Sequence, residues 1–207
     1  AERKAALMVK YMKVNLESRQ SRFAQRVLKD FSGQLLRMLE KQALETISVQ
    51  TICDCCNYPR STFYNYFDDL YDLMNYCWLE VMNDMGINKY IHISEERDVV
   101  KIYSELYMYL DSYRNQIRKI ISSNGLNGRC MLSLRHFMQL QIQQIMRTCP
   151  DVVKYPLRED VIVDYYTSIL AMVLEKCFLD IHPLSKEEAL RSVKFFIETI
   201  EKEVHTK

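Results

Sequence analysis

Apolar residues recur every three or four positions through most of the 207-residue chain, the spacing of one face of an amphipathic helix. Between Glu17 and Lys41 the stripe is explicit. Val27, Phe31, Leu35 and Leu39 stand four apart with Leu28 and Leu36 beside them, which predicts one long helix burying a single face. Four glycines and four prolines punctuate the chain, where strands joined by tight turns would demand more of both. Pro59, Gly86, Gly125, Gly128, Pro150, Pro156 and Pro183 fall between periodic segments, with Gly33 inside one. The breaks delimit about eight or nine helices and predict an all-α fold. No internal repeat or low-complexity segment interrupts them.

Ser48 is placed to cap a short helix running to about Cys55, with Val49 and Ile52 pointing inward. A second short helix starts at Pro59. Asp68 or Asp69 then caps a longer helix through Leu73, Tyr76, Cys77 and Val81 to Met85, where Gly86 stops it. Later helices are predicted over 95–111, 113–123, 128–148, 158–180 and 186–203. The length suits a small domain fused to a larger one.

Composition adds three constraints. No apolar run approaches the roughly 20 residues of a membrane span, and no basic start with an apolar core and small-residue cleavage site marks a secretory signal, so a soluble protein without a membrane role is expected. Seven cysteines, irregularly spaced and with Cys53, Cys55 and Cys56 crowded together, do not form a disulfide framework and point to a reducing cytoplasm. The net charge of +1 conceals an asymmetry. Up to Phe67 the chain holds 11 Lys+Arg against 6 Asp+Glu, and beyond it 17 against 21, so a basic front precedes an acidic rear. That polarity suits a front end meeting a polyanion, as it would a solvated helix face.

The informative stretch is Ile47 to Phe67, two short helices separated only by Cys56, Asn57 and Tyr58 and preceded by a long amphipathic helix. This is helix-turn-helix spacing. Asn57 is the residue best able to take the left-handed backbone the turn needs, and Pro59 supplies a preset φ for the first turn that follows. On the second helix Phe63 and Phe67 share a face, while Ser61 and Asn65 project from the opposite side. The phenylalanines are expected to anchor and the polar residues to read. Arg60 can reach guanine or phosphate, and Tyr64, Thr62 and Tyr66 can bond phosphate oxygens. Ser48 and Thr51, opening the first short helix, complete the expected set of DNA contacts.

Ile47 to Phe67, reading I-S-V-Q-T-I-C-D-C-C-N-Y-P-R-S-T-F-Y-N-Y-F, resembles the signature of TetR-family transcriptional regulators. The family's Thr-x-Tyr-x-Tyr-Phe corresponds to Thr62, Tyr64, Tyr66 and Phe67, and Leu73 matches the apolar residue on the following helix. The resemblance covers about residues 20 to 80. Three positions depart from it. Asn57 stands where the turn glycine is usual, Pro59 where a serine opens the reading helix, and Leu70 where a lysine often contacts phosphate. Every phosphate left without a partner lowers affinity across all sequences. Arg3, Lys4, Lys10, Lys13 and Arg19 are candidates for a compensating basic arm, or equally for a solvated helix extension.

The resemblance implies a DNA-binding domain over 1–67 with a basic N-terminal extension, and a larger helical regulatory and dimerisation domain over 68–207. It implies that the last two long helices pair with those of a second copy as a four-helix bundle, giving a homodimer on a near-palindromic double-stranded DNA operator. Ile169, Leu170, Val173, Leu174 and Cys177, with Ala189, Val193, Phe196, Ile197 and Ile200, are the apolar stripes available for that pairing, although periodicity alone says only that they are buried. Tyr103, Tyr107, Met131, His136, Met138, Tyr165, Tyr166 and Met172 are candidate lining for a small, largely apolar inducer. For any one of them ordinary core packing is the stronger account.

The crowded cysteines diverge around a helix and have no nearby histidine, so no metal site and no cofactor is expected, and the three are read as buried structural thiols. Cys130, Cys149 and Cys177 carry no independent mark of a thiol switch. His136 and His182 lack a carboxylate at ligand spacing. No phosphate-cradling loop, zinc-protease pair or nucleophile elbow is present, which argues against an enzyme. The expected function is a ligand-responsive, sequence-specific DNA-binding regulator, a repressor released by a small molecule. The alternative is a helical protein-interaction adaptor that keeps the fold without specific DNA binding.

Overall fold

The computed structural model describes residues 21–84, 86, 99–147, 157–180 and 182–205. Among the described residues the chain is all-α, with no strand. The helices are α1 (Arg22–Leu39), α2 (Val49–Cys56), α3 (Arg60–Tyr66), α4 (Leu70–Asp84), α5 (Val99–Ser112), α6 (Arg114–Asn124), α7 (Arg129–Arg147), α8 (Glu159–Phe178) and α9 (Lys186–His205), with a 3-10 turn at Leu44–Thr46 between α1 and α2. The basic residues Arg3 to Arg19, the first residues of the helix predicted over 95–111, Cys149, Pro150 and Pro156 lie outside the described residues. No described helix is long and apolar enough to cross a membrane.

Local chemistry sets the helix ends. Ser21 accepts the Ala24 N–H at 3.0 Å, so α1 opens at Arg22 and not at the predicted Glu17. Of the two aspartates proposed to cap α4, Asp69 does so, accepting the N–H groups of Tyr71 and Asp72 at 2.8 Å each. Ser185 and Glu188 form a reciprocal capping box at the start of α9, at 3.2 and 2.8 Å, and those hydrogen bonds hold the Glu188 carboxyl below its usual range.

The chain packs as two compact units. The first runs to Val81 and takes in Lys119–Leu134 from much later in the sequence, and the second comprises Met82–Arg118 and Arg135–Lys207. The first unit therefore extends past Phe67, because Leu73, Met74, Tyr76 and Cys77 of α4 and Cys130 of α7 are buried in the same core as α1. Phe31 is the centre of that core. Its ring meets Phe63 edge-on at 5.4 Å, Phe67 edge-on at 6.4 Å and Tyr58 at 5.4 Å. Each such pair adds about 0.5–1.5 kcal/mol beyond the burial itself.

In the second unit Tyr103 and Tyr107 of α5 pack with Ile169, Val173, Cys177 and Phe178 of α8 and with Ala189, Val193 and Ile197 of α9. The C-terminus of α8 is closed by Arg114. Its guanidinium donates to the Cys177 carbonyl at 2.8 Å and the Tyr107 hydroxyl at 3.2 Å, and lies 4.6 Å from the Phe178 ring centroid. A smaller cluster joins Ile142 of α7 to Ile162 and Val163.

Candidate nucleic-acid interface

The helix-turn-helix is built from α2, its turn and α3. Ser48 stands in extended backbone before α2, its Oγ accepting the Thr51 N–H at 3.1 Å and lying 2.7 Å from the Thr51 hydroxyl. At the other end Asn57 adopts φ 57°, ψ 42°, the left-handed region. The Tyr58 N–H donates back to the Cys53 carbonyl at 3.0 Å and the Asn57 N–H to that of Asp54 at 3.2 Å. This pattern closes a helix end through one left-handed residue, and it reverses the chain between α2 and α3. Pro59 then sits just before α3 with ψ 151°, so the helix proper starts at Arg60, one residue later than predicted.

Beneath this reversal the inward residues are sealed. Ile52, Cys53, Phe63 and Phe67 are fully buried. Tyr58, which the sequence placed only as a turn residue, donates its hydroxyl to Asp30 of α1 at 2.8 Å and so ties the turn to the long helix. Its phenol is pushed up chiefly by that carboxylate, with burial adding to it.

On the outer side of α3, Arg60, Ser61, Tyr64 and Asn65 are exposed. Ser48 and Thr51 are exposed at the opening of α2. The Arg60 guanidinium donates to the Tyr64 hydroxyl at 3.1 Å and lies 5.6 Å from that ring's centroid, holding two side chains one turn apart in a common orientation. Thr62 is half-buried, and Tyr66 is half-buried with its ring packed against the core. Six of the eight residues proposed to touch DNA thus stand in solvent, with Thr62 and Tyr66 at the margin.

The cysteines split by helical position. Cys53 is buried, Cys56 is half-buried with its thiol 3.5 Å from the Asp30 carbonyl, and burial pushes that thiol up to about 11. Cys55 is exposed, contrary to its reading as a buried thiol, because residues two apart on a helix face apart. Among the described residues no His, Cys, Asp and Glu side chains gather as three or more metal ligands. Cys130 and Cys177 are buried, with the Cys130 thiol pushed up to about 12 by burial, so neither is poised as a thiolate.

The residues proposed to line a ligand site are dispersed. Met131 belongs to the first unit and the other seven to the second. Tyr103 and Tyr107 are core residues, Tyr103 fully buried with its hydroxyl 3.9 Å from the Cys177 sulfur. Met138, Tyr165 and Tyr166 are half-buried, and Tyr165 donates to the Phe196 carbonyl at 3.0 Å. His136 and Met172 are exposed. Of the residues proposed for dimer contacts, Ile169, Val173, Cys177, Val193 and Ile197, together with Ala189, are buried within the chain's own core. Leu170, Leu174 and Phe196 are half-buried, and the Ile200 side chain lies outside the described residues. Among the described residues, the large apolar side chains that α8 and α9 leave in solvent are different ones, namely Val161, Met172 and Phe195.

No family model matches the chain, and no curated protein matches it. The chain is similar to the solved structure of a protein described as the dihydroxyacetone kinase operon activator DhaS. The two share 18% identity over 84% of this chain and 96% of the other, with a TM-score of 0.49.

Proposed function

We propose that the chain is a sequence-specific DNA-binding transcriptional regulator, working as a homodimer on a near-palindromic operator and released from it by a small, largely apolar molecule. One observation carries the reading. The α2–Asn57–α3 pair buries Ile52, Phe63 and Phe67 on one side and offers Arg60, Ser61, Tyr64 and Asn65 to solvent on the other. An exposed polar edge on a short helix, held rigidly by an aromatic core, is what reading base edges in a major groove requires. The resemblance of Ile47 to Phe67 to TetR-family regulators supports the same reading. Dimerisation is assigned to the outward faces of α8 and α9, where Val161, Met172 and Phe195 are left uncovered. Tyr107, Met138, Tyr165 and Tyr166 of the second unit are of the residue types that suit an apolar inducer with a polar group.

A second reading, a protein-interaction adaptor on the same scaffold, is favoured by charge. Residues 21–81 together with 119–134 hold eight Lys+Arg and eight Asp+Glu, and Asp68 and Asp69 stand exposed directly after the reading helix. A mobility-shift titration on genomic fragments flanking the gene separates the two. A regulator retains one fragment with an affinity that falls steeply as salt rises, whereas an adaptor retains none.

A further inference from the structure

The connection between α1 and α2 is held by residues some eighty positions later in the sequence. Asn124, the last residue of α6, is buried, and its side-chain amide is fully used. Its Nδ2 donates to the carbonyls of Leu39 at 2.9 Å and Ile120 at 2.8 Å, and its Oδ1 accepts the Leu44 N–H at 2.9 Å. Leu39 ends α1 and Leu44 opens the 3-10 turn. One side chain therefore satisfies an orphan carbonyl at the end of one element and an orphan N–H at the start of the next. Its neighbours grip the same stretch. Ser123 donates to the Glu40 carbonyl at 3.1 Å, Lys119 pairs with the Glu40 carboxylate at 3.5 Å, and the Arg129 N–H donates to Glu45 at 2.9 Å.

The turn that delivers these groups has little freedom. Gly125 sits at φ 68°, and a Cβ added at Gly128 would lie 1.9 Å from the Asn124 carbonyl oxygen. Arg129 continues across the first unit and donates to the Tyr71 hydroxyl in the first turn of α4 at 2.7 Å. The Lys119–Arg129 segment thus touches the chain just before the helix-turn-helix and just after it.

We infer that Asn124 is a positioning residue for the DNA-reading helices: by fixing the Leu39–Leu44 connection it sets where α2 begins, and hence how α3 presents Arg60, Tyr64 and Asn65. The functional half of this inference rests on the DNA-reading proposal above, and the structural half does not. Phe63 and Phe67 pin the inner side of α3 to the core. The chain leading into α2 holds the other end of the α2–α3 pair.

The test uses the full chain and its Asn124→Ala and Gly128→Ala variants. In the wild type, hydrogen exchange at the Leu44 amide is expected to be slowed on the order of a hundredfold or more relative to an unstructured amide. In either variant that protection is lost and exchange through Thr46–Thr51 quickens, while Val27–Leu35 of α1 stays protected. Free exchange of Leu44 in the wild type overturns the inference even where a variant fails to fold. The second arm compares affinity for the genomic fragment retained by the wild type with affinity for a mixed-sequence duplex of equal length. A folded variant is expected to lose roughly tenfold in the ratio of the two, the equivalent of one misplaced base contact, with its affinity for the mixed duplex unchanged. An unchanged ratio in a folded variant overturns the positioning role. Retention of no fragment by the wild type defeats the DNA-reading proposal instead, and the exchange measurement still decides the role of Asn124.

Discussion

The two units of this chain bury their apolar stripes in different ways. In the first, the stripe on α1 meets Phe63, Phe67 and the apolar residues of α4, and the α2–α3 pair presents a polar edge of Ser48, Thr51, Arg60, Ser61, Tyr64 and Asn65. In the second, α8 is apolar on more than one side. Ile162, Val163, Ile169 and Val173 turn into the chain's own core, yet Val161 and Met172 remain in solvent, as does Phe195 of α9. A helix apolar all round has more to bury than one partner can cover. Hydrophobic periodicity therefore separates an inner from an outer side where a stripe has a single inner face, and reports only burial where it has two.

The contrast breaks most visibly at Phe31. Removing a fully buried ring from the centre of an aromatic cluster is expected to cost about 3–5 kcal/mol. Denaturant unfolding of Phe31→Ala followed by near-ultraviolet circular dichroism checks this, with DNA binding lost alongside. A loss near that of a surface substitution would mean the first unit does not fold around this ring. Next in size is Phe195→Glu. It leaves the packing of the core untouched, so the protomer should keep its stability to within about 0.5 kcal/mol. As a central interface residue it should weaken self-association by at least about thirtyfold, the effect of a hot spot worth about 2 kcal/mol. Sedimentation equilibrium showing unchanged association would exclude this face of α9 from the dimer.

The front's basic character sharpens the comparison further. Residues 21–81 with 119–134 are charge-balanced, so under the DNA-binding proposal Arg3, Lys4, Lys10, Lys13 and Arg19 are the candidates for extra attraction to phosphate. Changing those five to glutamine is expected to flatten the dependence of log affinity on log salt by about 0.9 for each phosphate no longer neutralised. A salt series on one duplex measures it, and an unaltered slope removes the arm from the interface. Tyr64→Ala is milder. It deletes a hydroxyl already oriented by Arg60 and should weaken operator binding about tenfold with thermal stability unaltered. Full affinity in that variant would mean α3 meets DNA by another side.

Much of the first unit was legible because its determinants are local. The four-residue stripe gave α1, Ser48 gave the start of α2, and the Phe63/Phe67 spacing separated buried from exposed sides of α3. Helix starts were misplaced by one residue at Pro59 and by five at Glu17, where short-range capping decides the end and periodicity does not. The segment 119–134 carried no local sign that it completes the first unit, since Asn124 and Arg129 act on residues eighty positions away. In the second unit, Ile169, Val173, Val193 and Ile197 were correctly apolar, but spacing cannot say whether α5 or a second copy covers them.

The smallest expected effect concerns the turn. Asn57 is the single non-glycine residue at positive φ among the described residues. A side chain with Cβ is strained in the left-handed region by roughly 1–2 kcal/mol, less for asparagine, whose short amide tolerates it. Asn57→Ala should therefore lose about 1 kcal/mol. Asn57→Gly should change stability by less than about 0.5 kcal/mol, because relief at φ 57° is offset by the greater freedom glycine gains in the unfolded chain. Since the side chain itself is not assigned to DNA, both variants should bind the operator alike at a temperature where both are folded. A stable Asn57→Gly protein that binds markedly less well would show that the amide reaches DNA, and the boundary between scaffold and reading edge would move one residue into the turn.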